Sequence, residues 1–447
     1  MHLVQTLCLA AALIAGAPVV FAGPARSSAE AQRQDLELVR GDYLVKEMAF
    51  TPETRRLAAA EIDALEAKAG HLTPTEMMVG LMQVAGLADN AHSNVHYHSP
   101  QAVPAQRLPL RFLWFPEGLY IARASGEAED LAGAEVLRVE GRTPRALYAR
   151  AKVLVGGKAV DRRKWLEELM ESGGVLQAMG LAQRADALSL TLRLPSGRVV
   201  TRCVAMDARA AQSPTAEFER LWSPEPVPKE VGWRAGLTDQ DLPLYLRDAD
   251  RPFRIVPLPD RHAVYVQFRS NEDEDDYPIG PFLAAATTQI EAAQPWTLIV
   301  DLRFDIGGNM LTTIDFMRRL PTLASQRVYL LVGPYTFSAG IISAAALKKA
   351  GGAKVTVVGD ELGDRPQFWS EGGLVQLPNS GLAMRYTDGQ WDLEHGCAGK
   401  PGCMDRYVDA NGASLKPEIA APLTAKAWLA KRDPAMEAVF TRIAAHQ

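Results

Sequence analysis

The spacing of apolar positions changes character twice along the chain, and each change marks a unit. Thr51-Pro52-Glu53 opens a run with helical spacing that reaches about Lys68, and Thr73-Pro74-Thr75-Glu76 opens a second that reaches about Leu87. Each start offers a Thr cap, a Pro in the first turn, where no N–H is needed, and a Glu shortly after. Together they predict a small helical domain over residues 30–104. From Leu108 to about Met206 the runs shorten to strands at 110–114, 118–122, 134–139, 188–192 and 198–201, the last pair bracketing Pro195-Ser196-Gly197. These predict a mostly β module over residues 105–210, with one helix near Val160 to Met179. Pro224, Pro226 and Pro228 mark a linker, residues 211–260.

Beyond about Ala263 strands and helices alternate. Strands are expected at 264–268, 297–302, 328–332 and 355–358, and helices at about 280–293, 310–319 and from Ala339 to Gly351-Gly352. Short apolar runs separated by helices predict a layered α/β unit over residues 261–447. The fold class expected for the whole chain is therefore multidomain α/β.

Charge narrows the partners. A net charge of -5 with 23% charged residues provides no basic field for nucleic acid. The apolar run Leu7 to Phe21, ending Val20-Phe21-Ala22 before Gly23, reads as an export signal over residues 1–22, although no Lys or Arg precedes it. It is shorter than the roughly 20 residues needed to span a bilayer, so a protein exported to the periplasm or exterior, without a stable membrane span, is expected. Cys8 leaves with the signal. Cys397 and Cys403 close a short Gly/Pro-containing loop and suit a disulfide in an oxidising compartment, with a metal site or free thiols as the alternatives. Cys203, in the strand-like run Val199 to Val204, is expected to be a packed thiol.

The chemistry gathers where strands give way to helices, since the next helix offers free N–H groups and the positive end of its dipole. Ser338, in Tyr335-Thr336-Phe337-Ser338-Ala339-Gly340, falls at such a place. It suits either a nucleophile, with the Ala339 N–H aimed at an oxyanion, or a plain helix cap. Thr336 stands where a Gly-x-Ser-x-Gly elbow would have its first Gly. A second strand end, Asp301-Leu302-Arg303-Phe304-Asp305-Ile306-Gly307-Gly308-Asn309, has two glycines whose amides can approach a ligand. Gly307 or Gly308 is then a second oxyanion donor, or the segment is an ordinary turn; Asp301 and Arg303 are expected to brace it by an ion pair.

These segments, with Val358-Gly359-Asp360, Leu377-Pro378-Asn379-Ser380-Gly381-Leu382 and Lys416-Pro417-Glu418-Ile419, resemble the C-terminal-processing (tail-specific) serine peptidases. The resemblance runs from about Glu61 onward. It implies a crotonase/ClpP-like α/β catalytic domain, a PDZ-like β module, peptide or protein substrates, an acyl-enzyme on Ser338 and no metal or organic cofactor. Many such enzymes use a Lys base after the Ser, but Arg365 stands in its place, and a guanidinium stays protonated. Another branch, similar to the tricorn core, uses a His from the N-terminal helical domain. Asp89-Asn90-Ala91-His92 fits that motif with one extra residue, so His92 is the expected base, with His96 in reserve. A metal cluster of His92, His96 and His98, or solvent-facing loop histidines, are the competing readings. Asp89, Asp360, Glu361, Glu371 and Glu394 are candidates to orient the His. A non-catalytic protein holding peptides or apolar ligands in the same cleft is the alternative function.

Overall fold

The computed structural model describes residues 28–96, 106–212, 222–225, 232–274 and 276–445. The expected export signal and His98 lie outside them. The helical unit contains the two expected helices, Pro52–Glu66 and Pro74–Gly86, each started by a Thr whose hydroxyl accepts from the third residue of the helix. It also contributes a strand, Asn94–His96, which pairs antiparallel with Leu382–Tyr386 far along the chain. That pairing carries the residues around His92 to the C-terminal unit.

Five antiparallel strands, Leu110–Trp114, Leu119–Ser125, Glu135–Val139, Ala187–Arg193 and Val199–Ala205, lie in sequence order in the middle unit. The single helix expected near 160–179 is two, Ala159–Leu169 and Gly173–Ala178. Ser172 starts the second, its hydroxyl accepting from the Val175 N–H at 3.2 Å. The outer edge of Leu110–Trp114 is closed: Glu171 accepts from the Phe112 N–H at 3.3 Å and Glu167 from the Trp114 N–H at 2.5 Å. An edge whose amides are already taken cannot accept an added strand. At the opposite edge, Cys203 is exposed rather than packed, because its face of Val199–Ala205 has no layer over it.

The central sheet of the last unit has six strands, in the order Ile419–Ala420, Val355–Gly359, Arg327–Val332, Thr297–Asp301, Ala263–Phe268 and Phe253–Leu258. All are parallel except the last, an antiparallel edge strand drawn from the stretch expected as linker. Alternate side chains serve opposite faces. Leu298, Val300, Val328, Leu330 and Val332 join the core beneath helices Ile279–Ala293, Met310–Leu323 and Ala339–Gly351. Ile299, Tyr329 and Leu331 pack instead against helix Pro434–Ala444. Burial on both faces is why these strands read as continuous apolar runs. Cys397 and Cys403 form a disulfide with Cα atoms 5.4 Å apart, on a loop bonded back to Gln390 through the Gly402 carbonyl.

Candidate active site

The loop after Arg327–Val332 is tied down before it reaches Ser338. Thr336 donates its hydroxyl to the Leu302 carbonyl at 2.7 Å and accepts from the Gly333 N–H at 3.0 Å, lashing the loop to the end of the neighbouring strand. Its position in the motif therefore demands a hydroxyl rather than a glycine. The Phe337 N–H then bonds to the Asp305 carbonyl at 2.9 Å, and the chain turns sharply into helix Ala339–Gly351. Ser338 makes that turn at φ 51°, ψ -124°, and its side chain caps no helix N–H. Caps lie in the extended region, and a β-carbon at positive φ is strained, so this backbone is not that of a plain cap. Ser338 is half-buried, whereas Phe337 and Ala339 are buried.

Gly307 packs directly on this turn. A β-carbon there would stand 2.7 Å from Ser338 Cβ and 2.9 Å from the Ala339 nitrogen, and its φ is 108°, so glycine is required on two counts. Its own N–H is taken by Asp305 Oδ1 at 3.0 Å. Among the described contacts the Gly308 amide has no acceptor, and Ala339, at the first helical position, has none within its helix. The strand ends thus bring Ser338, Gly307, Gly308 and Ala339 together.

Asp305, not singled out by the sequence motifs, supports both loops. It is fully buried; Oδ1 also accepts from Asn271 Nδ2 at 2.6 Å, while Oδ2 has no partner. Asn271 Oδ1 in turn accepts from Thr313 and Ser343, at 2.6 and 3.0 Å. Burial pushes the Asp305 carboxyl up to about 7 against the lowering effect of its two donors. The neutral acid is therefore favoured by folding, a contribution present below about pH 4 and lost as pH rises through about 7. Asp305→Asn should flatten this dependence, gaining stability over the parent at pH 8 but not at pH 4, by about 1.4 kcal/mol for each pH unit removed, as urea melts at the two pH values would show. The only sequence signal was an Asp flanked by Phe304 and Ile306 in a buried segment.

His92 is buried beside the serine loop. Its ring stacks on Phe337 at 4.5 Å between centroids and on Phe368 at 5.6 Å, and neither ring nitrogen has a hydrogen-bond partner. The Lys164 ammonium is 4.5 Å from the centre of the same Phe337 ring. Burial, with Arg385 and Lys164 adding to it, lowers the imidazole to about 3, so it is neutral at ordinary pH. No hydrogen bond joins it to Ser338 in this state. His96 lies on the Asn94–His96 strand opposite Ala383.

The five candidate carboxylates have other work. Asp89 pairs with Arg162 and with Arg365, whose guanidinium donates to both Asp89 Oδ2 and the Asp89 carbonyl at 2.8 Å. Glu361 pairs with Lys158 at 2.8 Å, Asp360 accepts from the Glu361 N–H, Glu371 from the Ser370 hydroxyl and Glu394 from Gln367. None reaches His92. Arg365, where a lysine base would stand, instead clamps the loop that carries His92. Asp89 and Arg365 are about half exposed, so the pair adds less than about 1 kcal/mol of stability. Arg365→Lys loses the two-pronged grip with little change in unfolding midpoint; with His92 as a catalytic base, the loosened loop should lower turnover about tenfold. Rates and melts measured together separate this from global destabilisation. Among the described residues, the one set of side chains spaced to hold a metal is Cys397, Cys403 and Asp405, and both cysteines are spent in the disulfide.

No protein-family model matches the sequence, and no curated protein does. Solved structures do. Mature CPAF complexed with lactacystin matches at a TM-score of 0.59 and 14% identity, over 93% of this chain and 98% of that one. Mature CPAF alone gives 0.55 and 15%, over 93% and 97%. The photosystem II D1 C-terminal processing protease gives 0.38 and 12%, over 89% and 94%. With nearly the whole of both chains aligned at TM-scores of 0.59 and 0.55, this protein has the fold of mature CPAF.

Proposed function

We propose that the protein is an exported serine peptidase with Ser338 as its nucleophile. The observation that carries this reading is the Ser338 backbone, strained at φ 51° on the first turn of a buried helix, with Gly307 and the Ala339 amide packed against it. Strain of this kind persists where the surroundings over-determine it, and it turns a hydroxyl outward at the positive end of a helix. The motif resemblance to C-terminal-processing peptidases and the shared fold with CPAF support the same conclusion.

In this mechanism Ser338 Oγ attacks the scissile carbonyl carbon and His92 takes the hydroxyl proton. The carbonyl oxygen becomes an oxyanion held by the Gly308 and Ala339 N–H groups, since the Gly307 N–H is spent on Asp305. Collapse releases the amine, which receives the proton from His92, and leaves an ester on Ser338 that water hydrolyses. His92 and Ser338 are not hydrogen-bonded in this structure, so bound peptide has to bring the two side chains together. Incubation with a fluorophosphonate, followed by mass spectrometry, tests the proposal. Label on Ser338 is expected. A cooperatively folded protein that takes no label and cleaves nothing in a peptide library would sink it and leave ligand binding as the function.

A further inference from the structure

A cavity of about 310 Å³ lies at the carboxyl edge of the central sheet, beneath the middle unit. Phe304, Pro334 and Leu423, each following the end of a parallel strand, form its floor, and Trp114, Phe115 and Trp222 form its roof. Ser338, Gly307, Gly308 and His92 are not among its walls. Cavities at this edge of an open α/β sheet are where such folds bind ligands, and the volume suits one or two side-chain-sized groups.

Most of its charged walls are satisfied within the protein; Arg163, 3.9 Å from Glu361, is the loosely held one. Arg303 makes four side-chain hydrogen bonds to Asp301 and Asp433. Lys164 pairs with Asp161 at 2.7 Å, and Glu361 with Lys158 at 2.8 Å. Glu167 accepts from the Trp114 N–H at 2.5 Å and the Tyr335 hydroxyl at 3.3 Å. Trp222 differs: it is 5% exposed, and its indole N–H is buried with no acceptor. An orphaned donor in an aromatic wall is costly unless something supplies an acceptor.

We propose that this cavity is a second binding site, which takes a neutral aromatic group with a carbonyl acceptor beside it, the chemistry of a phenylalanine residue within a peptide. The apolar walls hold the ring, the Trp222 N–H meets the carbonyl, and the close internal pairing of Arg303, Lys164 and Glu361 favours a neutral group over a charged one. The site does not depend on the chemistry at Ser338.

Calorimetric titration of the full chain with N-acetyl-phenylalaninamide tests it. Saturable one-to-one binding is expected, unchanged by Ser338→Ala, weakened about five- to tenfold by Trp222→Phe, and abolished by Ala421→Phe, which fills the cavity. N-acetyl-lysinamide should not bind, and free phenylalanine, a zwitterion, should bind more weakly. Binding of free phenylalanine as tight as that of the blocked form would assign the site to an amino acid and overturn the proposal. So would binding that survives Ala421→Phe, or its absence from protein that melts cooperatively. Should Ala421→Phe not fold, Leu423→Trp fills the cavity from the same floor and is read in the same way.

Discussion

Ser338→Ala should cut peptide hydrolysis by about ten-thousandfold or more while barely moving the unfolding midpoint. In the proposed mechanism the hydroxyl is the attacking atom, and the side chain makes no capping bond that folding would miss. Ser338→Gly should lose as much activity yet be more stable than the Ala variant by about 1 kcal/mol, because glycine adopts φ 51° without strain. Denaturant melts of the two variants isolate that strain from the chemistry. Equal stability would mean that the turn stores none, and hydrolysis persisting in Ser338→Ala would point to another nucleophile.

His92→Gln should lower kcat/KM by about a thousandfold, the scale of losing a positioned base. The pH profile carries the sharper test. An imidazole neutral down to about pH 3 is ready to accept a proton far below its ordinary 6.5, so the acid limb of kcat/KM should fall well below pH 6.5. Stability must respond as well. The unfolded chain protonates His92 near 6.5 and the folded chain only near 3, so between these values the unfolded state binds more protons and stability drops as pH falls. The slope from this one group is about 1.4 kcal/mol per pH unit at most, and His92→Gln should remove it. A wild-type limb at the ordinary imidazole value would contradict the buried state of the ring.

Arg365 has a role that the chain alone does not reveal. Its identity argues against a lysine mechanism, because a guanidinium cannot release its proton. What it does instead depends on Asp89, 276 residues away, and nothing local reveals that contact. Asp305 was similarly hidden. An aspartate two residues before a pair of glycines suggests a turn, whereas its unpartnered oxygen and raised pKa come from burial as the Ser338 helix closes over it, where Gly340 leaves no room for a β-carbon. The orienting acid had five candidates, and each carboxylate is engaged elsewhere.

By itself the sequence determined the alternating core of the last unit and the start of the helical one. Period-2 and helical spacing, Thr-Pro starts and doubly buried apolar strands are local consequences of side-chain geometry, and the helices Pro52–Glu66 and Pro74–Gly86 and four of the five parallel strands, all but Ile419–Ala420, fall where those patterns put them. It also placed Ser338 at a strand end, where amides are free. Tertiary structure decided which of those ends meet. The strained φ of Ser338, the seat of Gly307 against it, the stacking of His92 on Phe337 and the cavity under Trp222 all arise from contacts between segments distant in the chain. Burial and pairing at such contacts set conformation and pKa, and local sequence does not encode them.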